Sequence, residues 1–165
     1  MVGDARISTR EATWGDESFR FRVYESTRQS EFASLGWEPA QLEAFLRMQF
    51  EMQQRSYAMQ YPGSGYQVVL LDREPVGHFM TVETSNRLLL ADIALMAPYR
   101  GGGIGSALIR RLQHAAAAKA LPLELRVVAS NPAAGLYVRL GFRAVEEQGL
   151  HVLMRWVQEE DDGFV

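Results

Sequence analysis

Cysteine is absent from this chain of 165 residues, so disulfide bonds, thiolate metal sites and a cysteine nucleophile are excluded. Long hydrophobic runs are absent as well, because no apolar stretch reaches the ~18 residues that a membrane span requires. The first residues also lack the basic and then apolar layout of a secretory signal. We therefore expect a cytoplasmic protein with no membrane partner.

A dense basic face is missing too. The formal net charge is −3, and the four acidic residues at positions 159–162 outweigh the nearly neutral remainder of the chain. Because nucleic-acid binding depends on clustered lysine and arginine, no nucleic-acid partner is expected. The acidic end, about residues 158–165, is predicted to be a frayed, solvated tail. No metal site is expected either, since the three histidines fall on different predicted elements without metal-ligand spacing: His78, His114 and His151.

The length of the chain and its hydrophobic content of 47% predict one globular domain over residues 1–165. Hydrophobic periodicity predicts strands that alternate with helices, and therefore an α/β protein. The stretch from Trp14 to Arg28 is compatible with both a strand and a helix, and periodicity alone leaves that choice open.

A long helix is predicted from Pro39 to the breaking pair Pro62-Gly63. One face carries apolar side chains at helical spacing, and a second apolar set lies off that stripe. Two interpretations stay open: the helix is packed on two sides, or the second set lines a substrate pocket. The stripe consists of Leu42, Phe45, Leu46, Met52 and Met59, and the second set of Met48, Phe50 and Tyr57.

A glycine-dense turn joins a predicted strand to a predicted helix. This glycine loop, Arg100 to Gly105, follows the apolar run Leu88–Met96 and opens the amphipathic run Ile104–Lys119. The first N–H groups of a helix lack internal partners and carry partial positive charge, and glycine lets an anion approach them. We therefore predict that main-chain amides of the loop bind a phosphate or pyrophosphate.

The glycine spacing separates this loop from two better-known phosphate-binding motifs. A dinucleotide fingerprint would need glycine where Ser106 or Leu108 stands, and a P-loop would need a lysine, which is absent before position 119. The pattern that fits is Arg-x-x-Gly-x-Gly, at Arg100, Gly103 and Gly105.

That pattern resembles the acyl-CoA pyrophosphate loop of the GNAT superfamily of N-acetyltransferases. Two further segments match in order. Asn131–Tyr137, followed by Leu140-Gly141-Phe142, resembles the family's Asn-x-x-Ala-x-x-Leu-Tyr helix with one residue fewer before Leu-Tyr, and Asp92–Leu95 resembles its CoA-binding strand. The resemblance implies an α/β fold (α+β in some schemes) with a central mixed, mostly antiparallel sheet. About six or seven strands and about four helices are expected, in the order β-α-α-β-β-β-α-β-α-β-β.

The resemblance also implies which residues bind acetyl-CoA as a cosubstrate. Pyrophosphate would take N–H donors from residues 101–106, and pantetheine would lie beside the strand from Asp92 to Met96. An amide near Leu95 would stabilise the oxyanion, and the Arg100 side chain is left open between a structural role and a contact to the acetyl donor. The implied cofactor-binding residues are Ile93, Ala94, Leu95, Arg100, Gly101, Gly102, Gly103, Ile104, Gly105, Ser106 and Asn131.

Two side chains are implied to act in catalysis. Tyr137 resembles the family's proton donor to the departing CoA thiolate, and a phenol of pKa ~10 is protonated at neutral pH. Asp92 is the candidate base, with Glu124 and Glu83 on neighbouring predicted strands as weaker candidates. Each of the three carboxylates is also compatible with an ion-paired or solvated group.

Together these residues predict transfer of an acetyl group from acetyl-CoA to a primary amine by direct attack. No covalent enzyme intermediate is expected, because neither cysteine nor a Ser-His pairing is apparent. A small-molecule or peptide amine is the expected acceptor, with apolar or aromatic acceptors favoured over polycations, and a homodimer is compatible with the sequence. The alternatives are a catalytically silent CoA-binding sensor or regulatory domain, and a protein-interaction module without CoA affinity.

Overall fold

The computed structural model describes residues 3–159. Within them, strands and α-helices follow one another in the predicted order, which confirms the expected fold class. Residues 160–165, which make up most of the predicted acidic tail, lie outside the described residues. The strands are β1 (Ile7–Glu11), β2 (Tyr66–Leu71), β3 (Glu74–Glu83), β4 (Leu88–Leu95), β5 (Leu123–Val128), β6 (Arg143–Gln148) and β7 (His151–Trp156), and the helices are α1 (Glu17–Phe32), α2 (Pro39–Gln60), α3 (Ile104–Ala118) and α4 (Ala133–Arg139).

The seven strands form one mixed sheet in the order β1-β2-β3-β4-β5-β7-β6. β2 pairs antiparallel with both β1 and β3, and β7 pairs antiparallel with both β5 and β6. β4 and β5 run parallel, with Leu88 opposite Leu123. Antiparallel pairs predominate among these, as predicted.

Two compact units divide the described chain. The first contains residues 3–80 and 92–104, and the second contains residues 81–91 and 105–159. The assignment of residues 1–165 to one domain stays a prediction. None of the described helices is both long and apolar enough to cross a membrane.

In the first unit, α1 packs against α2 through an aromatic core. The rings of Phe21 and Tyr24 lie 5.7 and 5.5 Å from the ring of Phe50, measured between centroids. Residues three apart share a face only in a helix, so this packing explains why the ambiguous stretch is helical. The stretch forms a short 3-10 turn, Trp14–Asp16, followed by α1.

The apolar stripe predicted for α2 is only partly correct. Leu46 is buried, but Met52 and Met59 are 61% and 84% exposed, and Phe50 lies in the core although it was assigned to the second set. The reason is that α1 covers the face carrying Leu46 and Phe50, which are one helical turn apart.

The hairpin between β2 and β3 turns on two residues. Only Asp72 and Arg73 form the turn, both with positive φ (48° and 72°), whereas Glu74 and Pro75 belong to β3. Positive φ at both central residues is typical of two-residue hairpin turns, whose twist matches that of the strands.

In the second unit, the buried start of β4 and the apolar faces of α3, β5 and β7 form the core. Gln113 of α3 is 8% exposed, and its Nε2 donates a 2.8 Å hydrogen bond to the carbonyl of Leu140. Because that carbonyl directly follows α4, the bond ties the end of α4 to α3. Gly141 then ends this segment with φ of +97°, a conformation that favours glycine.

The loop before α1 is held by one buried carboxylate, Asp16. Both of its oxygens accept 2.8 Å hydrogen bonds from Arg10, and one also accepts a 2.7 Å bond from the Thr13 amide. The Arg10 hydrogen bond is the main reason that the pKa of Asp16 lies well below its usual range. Asp16 therefore stabilises the fold above the ordinary aspartate pKa of ~3.9, and this stabilisation is lost as the pH falls through its lower folded-state value.

Asp16→Asn is accordingly expected to lower the free energy of unfolding by about 1–2 kcal/mol at pH 7, and by less as the pH falls below 4. Urea denaturation at several pH values measures this difference. The matched control is Asp72→Asn, which breaks an exposed pair with Arg6 and should change stability less. A deficit that stays constant down to pH 2 would contradict the role of the Asp16 charge.

Candidate functional site

The glycine loop has the backbone conformation that its sequence suggests. Gly101 and Gly103 have φ of +79° and +92°, which side-chain-bearing residues rarely adopt. A Cβ atom on Gly101 or Gly105 would meet no heavy atom within 4 Å, so the backbone there is open to a bulky group. The loop leads directly into α3, which begins at Ile104. These features fit an anion held by main-chain N–H groups at a helix start.

The Arg100 side chain makes two contacts within the first unit. Its Nε donates a 3.0 Å hydrogen bond to the carbonyl of Leu95, and its Nη2 donates a 3.1 Å bond to Oγ of Ser26 in α1. The Arg100 side chain therefore has a structural role, which is one of the two alternatives that the sequence left open. A contact between Arg100 and the acetyl donor stays a prediction.

The strand that carries Ile93, Ala94 and Leu95 passes unusually close to β3. A Cβ atom placed on Gly77 would lie 2.4 Å from the carbonyl oxygen of Ala94 and 2.7 Å from a methyl carbon of Leu95. The amide of Met96 donates a 2.8 Å hydrogen bond to the carbonyl of Val76 beside it. Glycine at position 77 thus sets the position of the strand predicted to bind pantetheine.

Asp92, the candidate base, belongs to a polar cluster inside the first unit. The hydroxyl of Tyr66 donates a 2.7 Å hydrogen bond to Oδ2 of Asp92, and Nε2 of His78 lies 3.7 Å from the same oxygen. The Tyr66 and His78 rings are 4.8 Å apart. On the Tyr66 ring lies the guanidinium of Arg20, 3.7 Å from the centroid. Three side chains, from α1, β2 and β3, are therefore grouped around the one carboxylate that β4 carries.

Burial dominates the proton affinities in this cluster. It raises the pKa of Asp92 above the ordinary value, although the Tyr66 hydrogen bond and the Arg20 charge act in the opposite direction. It also raises the pKa of Tyr66 and lowers the pKa of His78 to about 3. His78 is therefore neutral at pH 7, and its contact with Asp92 is not an ion pair. A carboxylate without a neutralising partner and with a raised pKa is suited to act as a base.

The two weaker candidates for the base are ion-paired. Glu124 is 4% exposed and lies between Arg87 and Arg155, at 3.3 and 3.0 Å. Glu83 pairs with Lys119. Both contacts lie inside the second unit. Glu124 and Glu83 are therefore ion-paired carboxylates, which is the alternative to a base that the sequence left open. Asp92 is thereby favoured among the three.

Tyr137 and Asn131 lie in the second unit, at and before the short helix α4. Tyr137 is 8% exposed, and its ring packs edge-on against Phe142 with centroids 5.7 Å apart. Asn131 is exposed, and its Oδ1 accepts a 2.9 Å hydrogen bond from the amide of Ala133. This bond closes a local turn before α4, whose N-cap residue is Pro132. The roles of both residues toward acetyl-CoA stay predictions.

A cavity of about 400 Å³ opens in the first unit between α1, α2 and the sheet. Phe50 and Tyr57 of the second apolar set of α2 line this cavity, whereas the exposed Met48 does not; that the cavity takes a substrate stays a prediction. Tyr66 connects the cavity with Asp92, because its side chain lines the wall and its hydroxyl bonds the carboxylate. The wall is formed by Ala12, Thr13, Trp14, Glu17, Arg20, Phe50, Gln54, Tyr57, Ala58, Ser64, Gly65, Tyr66 and Met80.

Sequence reasoning did not single out Tyr66, Arg20 or Gln54 as site residues. Tyr66 opens a strand, and Arg20 lies in the stretch whose secondary structure was ambiguous. Because Tyr66 is 26 positions from Asp92 and Arg20 is 34 positions from Gln54, no local motif could have connected them. Within residues 3–159, no three His, Asp or Glu side chains are grouped as metal ligands.

Solved structures share this architecture. PaiA N-acetyltransferase from Thermoplasma acidophilum, in complex with coenzyme A, superposes with a TM-score of 0.69 at 16% identity, over 92% of this chain and 99% of that one. An acetyltransferase from Thermus thermophilus gives 0.62 at 23% identity, over 90% and 94%. Arabidopsis thaliana Naa50, bound to the bisubstrate analogue CoA-Ac-MVNAL, gives 0.58 at 13% identity, over 91% and 97%. At these identities the likeness shows the fold.

Membership of a family follows from the sequence itself. The model of the acetyltransferase (GNAT) family matches residues 22–142, which include the glycine loop, Asp92 and Tyr137. No curated protein matches the chain. The match covers well over half of the residues and confirms the resemblance drawn from the three motifs. The chain belongs to the GNAT acetyltransferase family, and it is therefore an acetyl-CoA-dependent N-acetyltransferase.

Proposed function

We propose that the protein acetylates a primary amine by direct attack on acetyl-CoA, with Asp92 as the base and Tyr137 as the acid. The amides of residues 101–106 hold the pyrophosphate, and Ile93, Ala94 and Leu95 hold the pantetheine arm. Asn131, in the turn before α4, contacts the CoA arm. The cavity of the first unit receives the acceptor.

The observation that carries this proposal is the path from the cavity to Asp92. Tyr66 lines the cavity and donates its hydroxyl hydrogen to Asp92 over 2.7 Å, and the Asp92 carboxylate has no cation within ion-pairing distance at neutral pH among the described residues. A lysine-like ammonium has a pKa near ~10.4, so forming the free amine at pH 7 costs roughly 4.6 kcal/mol. A base with a raised pKa at the end of a hydrogen bond reduces that cost.

The proposed reaction begins with a proton transfer from the acceptor's ammonium group. It gives one proton to the Tyr66 oxygen while the Tyr66 proton passes to Asp92, so no phenolate of this high-pKa tyrosine forms. The amine nitrogen then attacks the thioester carbonyl carbon, and the oxyanion is stabilised by the amide near Leu95. The C–S bond breaks, Tyr137 protonates the departing thiolate, and the second nitrogen proton leaves to solvent. Exchange with solvent restores both Asp92 and Tyr137.

Tyr137→Phe tests the acid. The substitution removes only the hydroxyl, so kcat should fall at least about tenfold because the thiolate then leaves unprotonated. The measurement is free thiol released from acetyl-CoA in the presence of amines, and the fold is checked by circular dichroism. Tyr24→Phe is the matched control, since Tyr24 is equally buried at 8% exposure and lies outside the cavity. A kcat within about twofold of the parent would make the role of Tyr137 wrong.

A further inference from the structure

Arg20 is the cation in the cavity wall, and no carboxylate of the described residues lies within 4 Å of it. Burial lowers the pKa of its guanidinium, although its interaction with Tyr66 and the charges of Asp92 and Glu17 act in the opposite direction. A guanidinium that has lost water without gaining a carboxylate partner is stabilised when an anion binds. The cavity therefore contains a charge that the protein itself does not neutralise by contact.

Packing fixes the orientation of the guanidinium. It stacks on the Tyr66 ring at 3.7 Å, lies 5.7 Å from the Phe50 centroid, and its Nη2 donates a hydrogen bond to Oε1 of Gln54. Arginine has five N–H donors in a planar fork; the Gln54 amide oxygen accepts one of them, and the buried Nε has no hydrogen-bond partner. A fork held in one orientation binds a planar carboxylate with little further loss of side-chain entropy.

The distance between the Arg20 guanidinium and Asp92 determines how far an anionic group on the acceptor can lie from its amine. The Arg20 guanidinium lies on the face of the phenol ring whose hydroxyl reaches Asp92, so one aromatic ring separates it from the proton path. We infer that the acceptor carries a carboxylate within a few bonds of its amine: the carboxylate binds Arg20 and the amine faces the Tyr66 hydroxyl. This inference rests on the proposed function.

The remaining wall indicates what lies beyond the amine and the carboxylate. Phe50, Tyr57 and Met80 present apolar and aromatic surface, and Trp14, 91% exposed, adds an indole to the wall. The carboxylate of Glu17 in the same wall disfavours a second anionic group on the acceptor. The volume of about 400 Å³ is near the lower end of small-molecule sites. The acceptor is thus a free amino acid with an aromatic or large apolar side chain.

Matched amines that differ only in the carboxylate test this assignment. The parent enzyme is assayed with phenylalanine against 2-phenylethylamine and with leucine against 3-methylbutylamine, and released CoA thiol is measured. We expect kcat/KM to be at least about tenfold higher for each amino acid. Arg20→Gln should reduce that preference to about twofold or less, and Arg20→Lys, which keeps the charge but not the fork, should give an intermediate value. Arg22→Gln, an exposed arginine of α1, is the control and should keep the full preference.

A second measurement separates failure of this inference from failure of the proposed function. Quenching of Trp14 fluorescence reports ligand binding without turnover, with Trp14→Phe to identify the signal. Equal kcat/KM for the paired amines would overturn the carboxylate site while leaving acetyl transfer intact. If no amine is acetylated, the proposed function fails, and the fluorescence titration alone tests the carboxylate site. Binding of phenylalanine at least tenfold tighter than that of 2-phenylethylamine then supports the Arg20 site. Equal or undetectable binding overturns it.

Discussion

Asp92→Asn is expected to lower kcat/KM by about 10²–10⁴-fold, the usual contribution of a positioned general base. Asparagine keeps an oxygen for the Tyr66 hydrogen bond but cannot accept the proton. In the parent, activity should rise with pH through the raised pKa of Asp92, because only the ionised carboxylate is a base. The variant should lose this limb of the kcat/KM profile, which steady-state assays across pH measure.

The stability contributed by Asp92 falls with rising pH, whereas the activity that depends on it rises. Because the folded-state pKa of Asp92 is raised, the folded protein binds the proton more tightly than the unfolded chain does. The resulting stabilisation is present below the ordinary aspartate pKa and is lost as the pH rises through the folded-state value. At pH 7 the ionised carboxylate therefore destabilises the fold, and Asp92→Asn should not lower Tm. A loss of activity without a loss of stability distinguishes the base from a residue needed for folding.

Two further variants complete this test. Glu83→Gln, which removes an exposed carboxylate paired with Lys119, is the control and should keep parent-like kcat/KM. Tyr66→Phe keeps the ring under Arg20 but removes the hydroxyl, and should lower kcat/KM if the proton passes through the phenol. Parent-like activity in Asp92→Asn would refute the role of Asp92 as the base. If only Tyr66→Phe kept parent-like activity, the proton would reach Asp92 through water and not through the Tyr66 hydroxyl.

Gly77→Ala should have the largest effect on stability of the substitutions considered. Its Cβ would lie 2.4 Å from the Ala94 carbonyl oxygen and 3.1 Å from the Leu95 Cα, and both atoms belong to backbone that cannot rotate away. Overpacking of this kind typically costs about 1–3 kcal/mol, or roughly 2–12 °C in Tm for a chain of this size. Relief of the overlap displaces Ala94 and Leu95, so the affinity for acetyl-CoA should fall as well.

Differential scanning calorimetry and titration with CoA measure these two effects. Gly135→Ala is the matched control, because a Cβ there would meet only the end of the Arg139 side chain, at 3.5 Å, and the residue lies inside α4. Alanine is the better helix former, so this control should leave Tm unchanged or raise it. A Gly77→Ala protein with parent-like Tm and CoA affinity would show that β3 and β4 separate without cost.

The order of elements and the position of the glycine loop could be predicted because both depend on local signals. The periodicity around Ile104 and the breaks at Pro62 and Gly141 specify where chain segments start and end, whatever their neighbours. Asp92 could be selected as a candidate because it lies in the strand of a recognisable motif, just before the residues predicted to bind pantetheine. What the sequence left open was which of three carboxylates is free of a cation, since Arg87 and Arg155 reach Glu124 across the sheet.

The acceptor side of the site was beyond prediction for a different reason. The cavity combines side chains from the start of α1, the middle of α2 and the first residue of β2, and each segment has an ordinary local pattern. For Arg20 the periodicity did not even distinguish helix from strand. Only the packing of Phe21 and Tyr24 on Phe50 turns Arg20 toward Tyr66 and Gln54.

The contact between Arg100 and Ser26 has a mechanical consequence. Arg100 begins the glycine loop, and Ser26 belongs to the same helix as Arg20, so a 3.1 Å hydrogen bond connects the loop to α1. We therefore expect a ligand that fixes the loop to restrain the helix that carries Arg20 as well. If the ligand of the glycine loop raises the affinity of the cavity for its own ligand by some factor, thermodynamic reciprocity requires that the cavity ligand raise the affinity of the loop by the same factor.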